Sequence, residues 1–183
     1  HRVPQLHPAG GCRRRADRLQ RILRHIRGEA GDHRHAAARQ ALTLGLISTT
    51  QVSALTADQL KALTETNISA LADTQVAALS TTQVQALSTT QLKGLSVTDI
   101  TELSGTQVGA LSAAQVSALS STNLQQLSTT QVQALSATQI GAISATNVTL
   151  LADTQFAALS TTQVKGLTTS QMAALTTTQL SSL

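Results

Sequence analysis

The chain has 183 residues, of which 12% are charged and 1% aromatic, with one cysteine and a formal charge of +4. Such usage departs from that of an ordinary globular domain. A lone Cys12 excludes an intrachain disulfide, and the lack of about eighteen consecutive apolar residues argues against a helical membrane span. The charge is unevenly divided. Residues 1–46 carry ten Arg against Asp17, Glu29 and Asp32, a net +7, whereas residues 47–183 carry Lys61, Lys93 and Lys165 against six carboxylates, a net −3. All five His and both Pro also precede residue 47. Two dissimilar segments, 1–46 and 47–183, are joined. A first residue that is His1 and a repeat cut after one letter at Leu183 read as a fragment of a longer protein, whose neighbouring repeats would flank the array.

Residues 1–12, with Pro4, Pro8 and Gly10-Gly11, form an irregular lead-in. In residues 13–28, Leu19, Ile22, Leu23 and Ile26 fall at i, i+3, i+4 and i+7, one face of an α-helix that Gly28 would stop. Its polar side gathers arginines, so Arg13, Arg14, Arg15, Arg18, Arg21 and Arg24 are the candidate anion-binding residues. Through 13–27 alone the chain could meet nucleic acid or an anionic membrane. The plainer role for this basic segment is a cap on the open end of a repeat array, its four aliphatics buried on the first repeats. A second short helix is expected over Ala36–Leu42. The His33-Arg34-His35 pair lacks a carboxylate or thiol at ligand spacing, so no metal is implied there. An Arg-, His- and Ala-rich stretch with weak patterning is also what a mis-assigned start produces.

From Ile47 to Ser182 one eight-residue phrase recurs seventeen times without insertion or deletion, as in Leu79-Ser80-Thr81-Thr82-Gln83-Val84-Gln85-Ala86. Letter 1 is Leu or Ile and letter 6 is always apolar, from Val52 to Phe156, Met172 and Leu180; these are the expected core. Letter 2 is mostly Ser or Thr, letter 4 mostly Thr, and letter 5 always Gln, Asn or Asp. Letters 3 and 7 vary and are expected to face outward.

A continuous α-helix does not fit, because eight residues at 100° each would turn every apolar pair about 80° from the last. A broken helix fits. Ser or Thr followed three residues later by Gln is a capping box, in which the hydroxyl accepts from the N3 amide and the Gln reaches back to the cap's own N–H. With Ser80 as N-cap, Leu79 at N′ and Val84 at N4 are the hydrophobic staple. Where letter 2 is Ala72 or Ala152, Asp73 or Asp153 follows as a substitute acceptor. The expected fold is therefore an all-α solenoid of very short capped helices with an eight-residue repeat, preceded by one or two N-terminal helices. A β-solenoid with sixteen-residue coils is the alternative, since Thr, Val, Ile and Leu suit strands. An even period, however, sends letters 1 and 6 to opposite faces.

Leu167-Thr168-Thr169-Ser170-Gln171-Met172-Ala173-Ala174-Leu175 and Leu55-Thr56-Ala57-Asp58-Gln59-Leu60 resemble the opening of the first helix in TAL-effector repeats, Leu-Thr-x-x-Gln-Val-x-Ala. The similarity covers one octad; the longer repeat and its base-reading loop are absent, so DNA reading does not carry over. Across 47–183 the array resembles the Thr/Gln/Ala-rich octad repeats of long bacterial secreted or surface proteins with adhesin-like names. That resemblance implies a secreted or cell-surface location.

Chemistry is sparse. Residues 47–183 contain no His, Cys, Arg, Tyr or Trp, so no nucleophile has a base and the array is not expected to be an enzyme or to hold a cofactor. A single aromatic, Phe156, offers no stacking platform for single-stranded nucleic acid. The sequons at Asn67 and Asn147 are what chance yields in a Ser/Thr-rich repeat. The leading function is a structural or adhesive spacer. A second reading is ice or ordered-surface binding through Ser-x-Thr pairs such as Ser80-x-Thr82, which requires a flat β face with both hydroxyls free. Thr50, Thr82, Thr90, Thr130 and Thr162, at letter 4, are the candidate interaction residues. The capping box does not account for them, and a hydroxyl ladder between repeats is the expected use.

Overall fold

A computed structural model describes residues 46–183. The expected second helix and the whole of 1–45, with the six candidate arginines, lie outside the described residues. In the array each octad forms one helix, α1 (Thr49–Ser53), α2 (Ala57–Lys61), α3 (Glu65–Ile68) and α4 (Asp73–Ala77) in the first four. They continue as α5 (Thr81–Ala86), α6 (Thr89–Lys93), α7 (Val97–Glu102), α8 (Gly105–Gly109), α9 (Ala113–Ala118) and α10 (Ser121–Gln126). The last are α11 (Thr129–Gln133), α12 (Ala137–Ala142), α13 (Ala145–Thr149), α14 (Asp153–Ala157), α15 (Thr161–Val164), α16 (Thr169–Ala174) and α17 (Thr177–Ser181). None exceeds six residues, far short of what holds a helix alone in water, and no strand occurs among the described residues. The β-solenoid alternative is thereby excluded for this segment.

Each helix begins for the reason the phrase gives. At α5, the Gln83 N–H donates to Ser80 Oγ at 3.2 Å and the Ser80 N–H donates to Gln83 Oε1 at 2.8 Å. Ser80 keeps an extended backbone at φ −71°, ψ 160°, so the chain turns out of the preceding octad there. Leu79 and Val84, the two staple letters, are both buried. One expectation fails. Neither Asp73 nor Asp153 caps its helix: at Ala72 and Ala152 no side chain accepts from the first turn, and only the returning bond to Gln75 or Gln155 Oε1 forms. A carboxylate one residue inside the helix acts there as first-turn negative charge toward the helix dipole.

Helices pack three apart. α1 lies on α4, α2 on α5, α3 on α6, and the same step repeats to α14 on α17. The coil therefore closes in between three and four octads, each octad sitting astride those three and four before it. The core is two columns of side chains, letter 1 from Ile47 to Leu151 and letter 6 from Val52 to Phe156, all buried. Beyond them the core thins: Leu159, Val164, Leu167 and Leu175 are half-buried, and Met172 and Leu180 are exposed at 39% and 56%.

Candidate functional surface

The residue that closes the coil is the letter-5 glutamine. Its oxygen completes the capping box while its amide turns inward and donates to main-chain carbonyls of the coil below. Gln83 Nε2 donates to Val52 O at 3.0 Å and Leu55 O at 2.8 Å. Gln91 reaches Leu60 O and Leu63 O, Gln115 reaches Val84 O and Leu87 O, and Gln131 reaches Ile100 O and Leu103 O, all between 2.6 and 3.0 Å. In these four the offsets are 31 and 28 residues, the last apolar letter of one octad and the first of the next, whereas Gln107 and Gln139 pair the 28-residue bond with one at 30, to Ala77 O and Gly109 O. A buried amide normally costs free energy. Here its oxygen and its donors are both satisfied, so it joins coils without an orphan.

Sequence reasoning assigned this residue only to the cap. Glu serves a capping box as well as Gln does, yet letter 5 is Gln, Asn or Asp and never Glu in all seventeen octads. That exclusion was the available signal of a buried amide donor. The shorter substitutes behave differently. Asn123 takes the Ser120 cap bond and makes no bond to the coil below, and Asn67 Nδ2 is buried without a partner. Asn67 is 1% exposed, consistent with a chance sequon.

Letters 3 and 7 face outward in most octads, as expected, and letter 2 does so in every one. Letter 4 is exposed in every octad, including Thr50, Thr82, Thr90, Thr130 and Thr162. Letter 3 is half-buried at Ala57, Thr81, Val97 and Ala113, and letter 7 at Ala77, Gly109, Gly141 and Thr149. Coils approach closely at letters 7 and 8: the Ser53 hydroxyl donates to Ala78 O at 2.9 Å, 25 residues ahead, Gly109 abuts the carbonyl of Ala134 at the same offset, and Gly166 abuts that of Ala137. Gln83, on the helix bearing Thr82, bonds Val52 on the helix bearing Thr50, and Gln163, on the helix bearing Thr162, bonds Val132 on the helix bearing Thr130. Thr90 lies one octad beyond Thr82. None of the five hydroxyls bonds to a neighbouring repeat, so the expected ladder does not form. Projecting from a first helical turn, these side chains meet solvent rather than each other.

The hydroxyls of Ser80 and Ser88 are engaged as caps, and the flat β face needed for ordered-surface binding is absent from the described residues. A shallow groove of about 440 Å³ lies between coils, lined by residues that include Gln85, Gly109, Ser112, Gln115, Ser136 and Thr138. No lining residue is titratable. Among the described residues no three His, Cys, Asp or Glu side chains gather to hold a metal ion.

Residues 151–183 match the family model described as the ALTTAQ repeat. The chain is a repeat protein. Letters 8 to 5 of its own phrase read similarly, as in Ala174-Leu175-Thr176-Thr177-Thr178-Gln179. No curated protein and no solved structure matches the chain. The resemblances to adhesin-like arrays and to the TAL-effector helix have no counterpart among these matches.

Proposed function

We propose that residues 47–183 are a non-catalytic, length-setting interaction segment, a spacer or adhesive stretch of a larger bacterial surface or secreted protein. The observation that carries this is the locality of the bonding. Every coil-closing amide reaches only 28 to 31 residues back, so an octad can be added without altering any contact more than about four octads away. Stability and length are then sums over repeats and their neighbours. Each coil adds about one helix-packing distance of 8–10 Å, so one octad adds roughly 2.5–3 Å. Such a segment is thick and stiff for its length, which suits presentation of a surface better than spanning a gap. The exposed letter-4 threonines, uncharged and unbonded to one another, are the surface presented.

A series in which whole octads are inserted after Leu111–Ala118 tests this by small-angle scattering and thermal melting. The radius of gyration along the array should rise in equal steps, with the melting temperature climbing toward a plateau. A four-residue insertion, which breaks the 28- and 31-residue offsets, should cost stability instead. If whole octads and half octads behave alike, the segment is not length-setting in this way.

A further inference from the structure

One joint in the array carries an acid where the others carry an amide. Asp99 occupies letter 5 on α7, where an amide would donate to the carbonyls 28 and 31 residues back, those of Leu71 and Ile68. Its Oδ2 accepts from the Ser96 N–H at 2.8 Å and completes the capping box. Its Oδ1 is left buried with no partner, on a residue 2% exposed. A carboxylate has only acceptors to offer, so it cannot make the bonds to main-chain carbonyls that the letter-5 glutamines make.

The second carboxyl of this joint comes from the helix on which α7 packs. α4 lies against α7, and its Asp73, at the first helical position, is the second acid beside Asp99 and raises its carboxyl further. Asp73 is exposed at the outer end of the joint and has no cap to serve. The equivalent pairing ten octads later sets Asp153 on α14 against Gln179 on α17, again 26 residues apart. There the letter-5 residue is an amide that donates, at 3.2 Å, to Val148 O. The α10 helix, which packs on the other side of α7, carries no titratable side chain, and the other acid on α7 itself is Glu102. The single charged group facing Asp99 from α4 is therefore another acid, and no Lys lies on α4, α7 or α10.

We propose that Asp73 and Asp99 form a carboxyl pair sharing one proton across the α4–α7 joint, which locks this joint in acid and loosens it as the pH rises. In the locked form the proton sits on Asp99 Oδ1 and is donated to the Asp73 carboxylate, giving the buried oxygen the partner it lacks. Loss of that proton to solvent leaves two like charges in contact, one of them buried. Burial raises the Asp99 carboxyl above its ordinary range, the Ser96 bonds oppose this, and the Asp73 charge adds to it. A carboxyl raised on folding binds its proton more tightly folded than unfolded. Its contribution is fully present below the ordinary Asp value of about 3.9 and is lost as the pH climbs through the raised value.

The test compares the full chain with Asp99→Gln and Asp73→Asn by thermal melting from about pH 4 to about pH 8, with hydrogen exchange of the α7 amides and carbon-13 titration of the Asp99 carboxyl. Asp99→Gln supplies the amide found elsewhere, so it should melt above the native chain near neutrality, with the gap closing toward pH 4 and α7 exchange slowed most at high pH. Asp73→Asn should lower the Asp99 midpoint. A gap that does not change with pH, or an Asp99 midpoint in the ordinary range, would overturn the proposal. So would a gap closed at neutral pH by calcium chloride alone, which would make the joint a cation site. A chain with Asp99→Gln that fails to fold would be decided by the titration of native Asp99.

Discussion

At the residue scale, three polar letters of the phrase do three different things. Letter 2 caps, letter 5 caps and joins coils, and letter 4 does neither. The capping-box logic was legible from Ser80 and Gln83 because both partners lie three residues apart, within the reach of local reasoning. The second bond of Gln83, to Val52 and Leu55, was not, because nothing in a strict eight-residue period states how many octads complete a coil. The misreading of Asp73 as a cap has a similar origin: an acid beside a missing hydroxyl looks like a replacement, but it sits one residue too far into the helix to accept from it. The letter-4 threonines were expected in a ladder and are found in solvent. Replacing Thr82, Thr90 and Thr130 together by Val should therefore leave the melting temperature nearly unchanged, with each site within about 0.5 kcal/mol. A large loss would mean that these hydroxyls bond between repeats after all.

At the element scale, a helix of five or six residues has too few internal bonds to persist alone. It is held by a cap at its start, by the next octad's extended first letters at its end, and by burial of letters 1 and 6. The broken-helix reading and the position of the core columns followed from the staple alone. The partial burial of letter 7 at Gly109 and Gly141 did not, since it depends on the helix three octads away. Glycine there is a matter of space. A Cβ on Gly109 would lie 2.7 Å from the Ala134 carbonyl oxygen, and one on Gly141 would lie 2.7 Å from that of Gly166. Gly105, in contrast, has its nearest neighbour at 3.4 Å. The two classes should respond with opposite sign. Gly105→Ala should stabilise by about 0.5–1 kcal/mol through helix propensity, whereas Gly109→Ala should destabilise by about 1–3 kcal/mol through overpacking against main chain. Chemical denaturation of the two variants against the native chain checks this, and equal effects would contradict the close approach.

At the scale of the whole array, one exception recurs in different forms: wherever letter 5 is not glutamine, a buried polar atom loses its partner or a coil-to-coil bond is missing. Asn67 Nδ2 and Asp99 Oδ1 are the two buried orphans among the described residues, and Asn123 makes no bond to the coil below. The solenoid is thus as strong as its sequence of amides, which hold in register the exposed letters 2 and 4 and, in most octads, letters 3 and 7. The repeat class and helical character were legible from composition and period. The identity of the coil-closing residue was carried only by the absence of Glu.

That residue offers the most direct measurement. Gln115→Glu keeps a capping-box partner for Ser112 but removes the amide donated to Val84 O and Leu87 O. If glutamine serves only the cap, this variant should unfold at the same urea concentration as the native chain. If it closes the coil, the buried carboxylate should lower stability at neutral pH by about 3 kcal/mol, well beyond the roughly 1 kcal/mol expected for Ser112→Ala, which removes the cap alone. A urea midpoint for Gln115→Glu equal to or above that of Ser112→Ala would contradict the coil-closing role of letter 5.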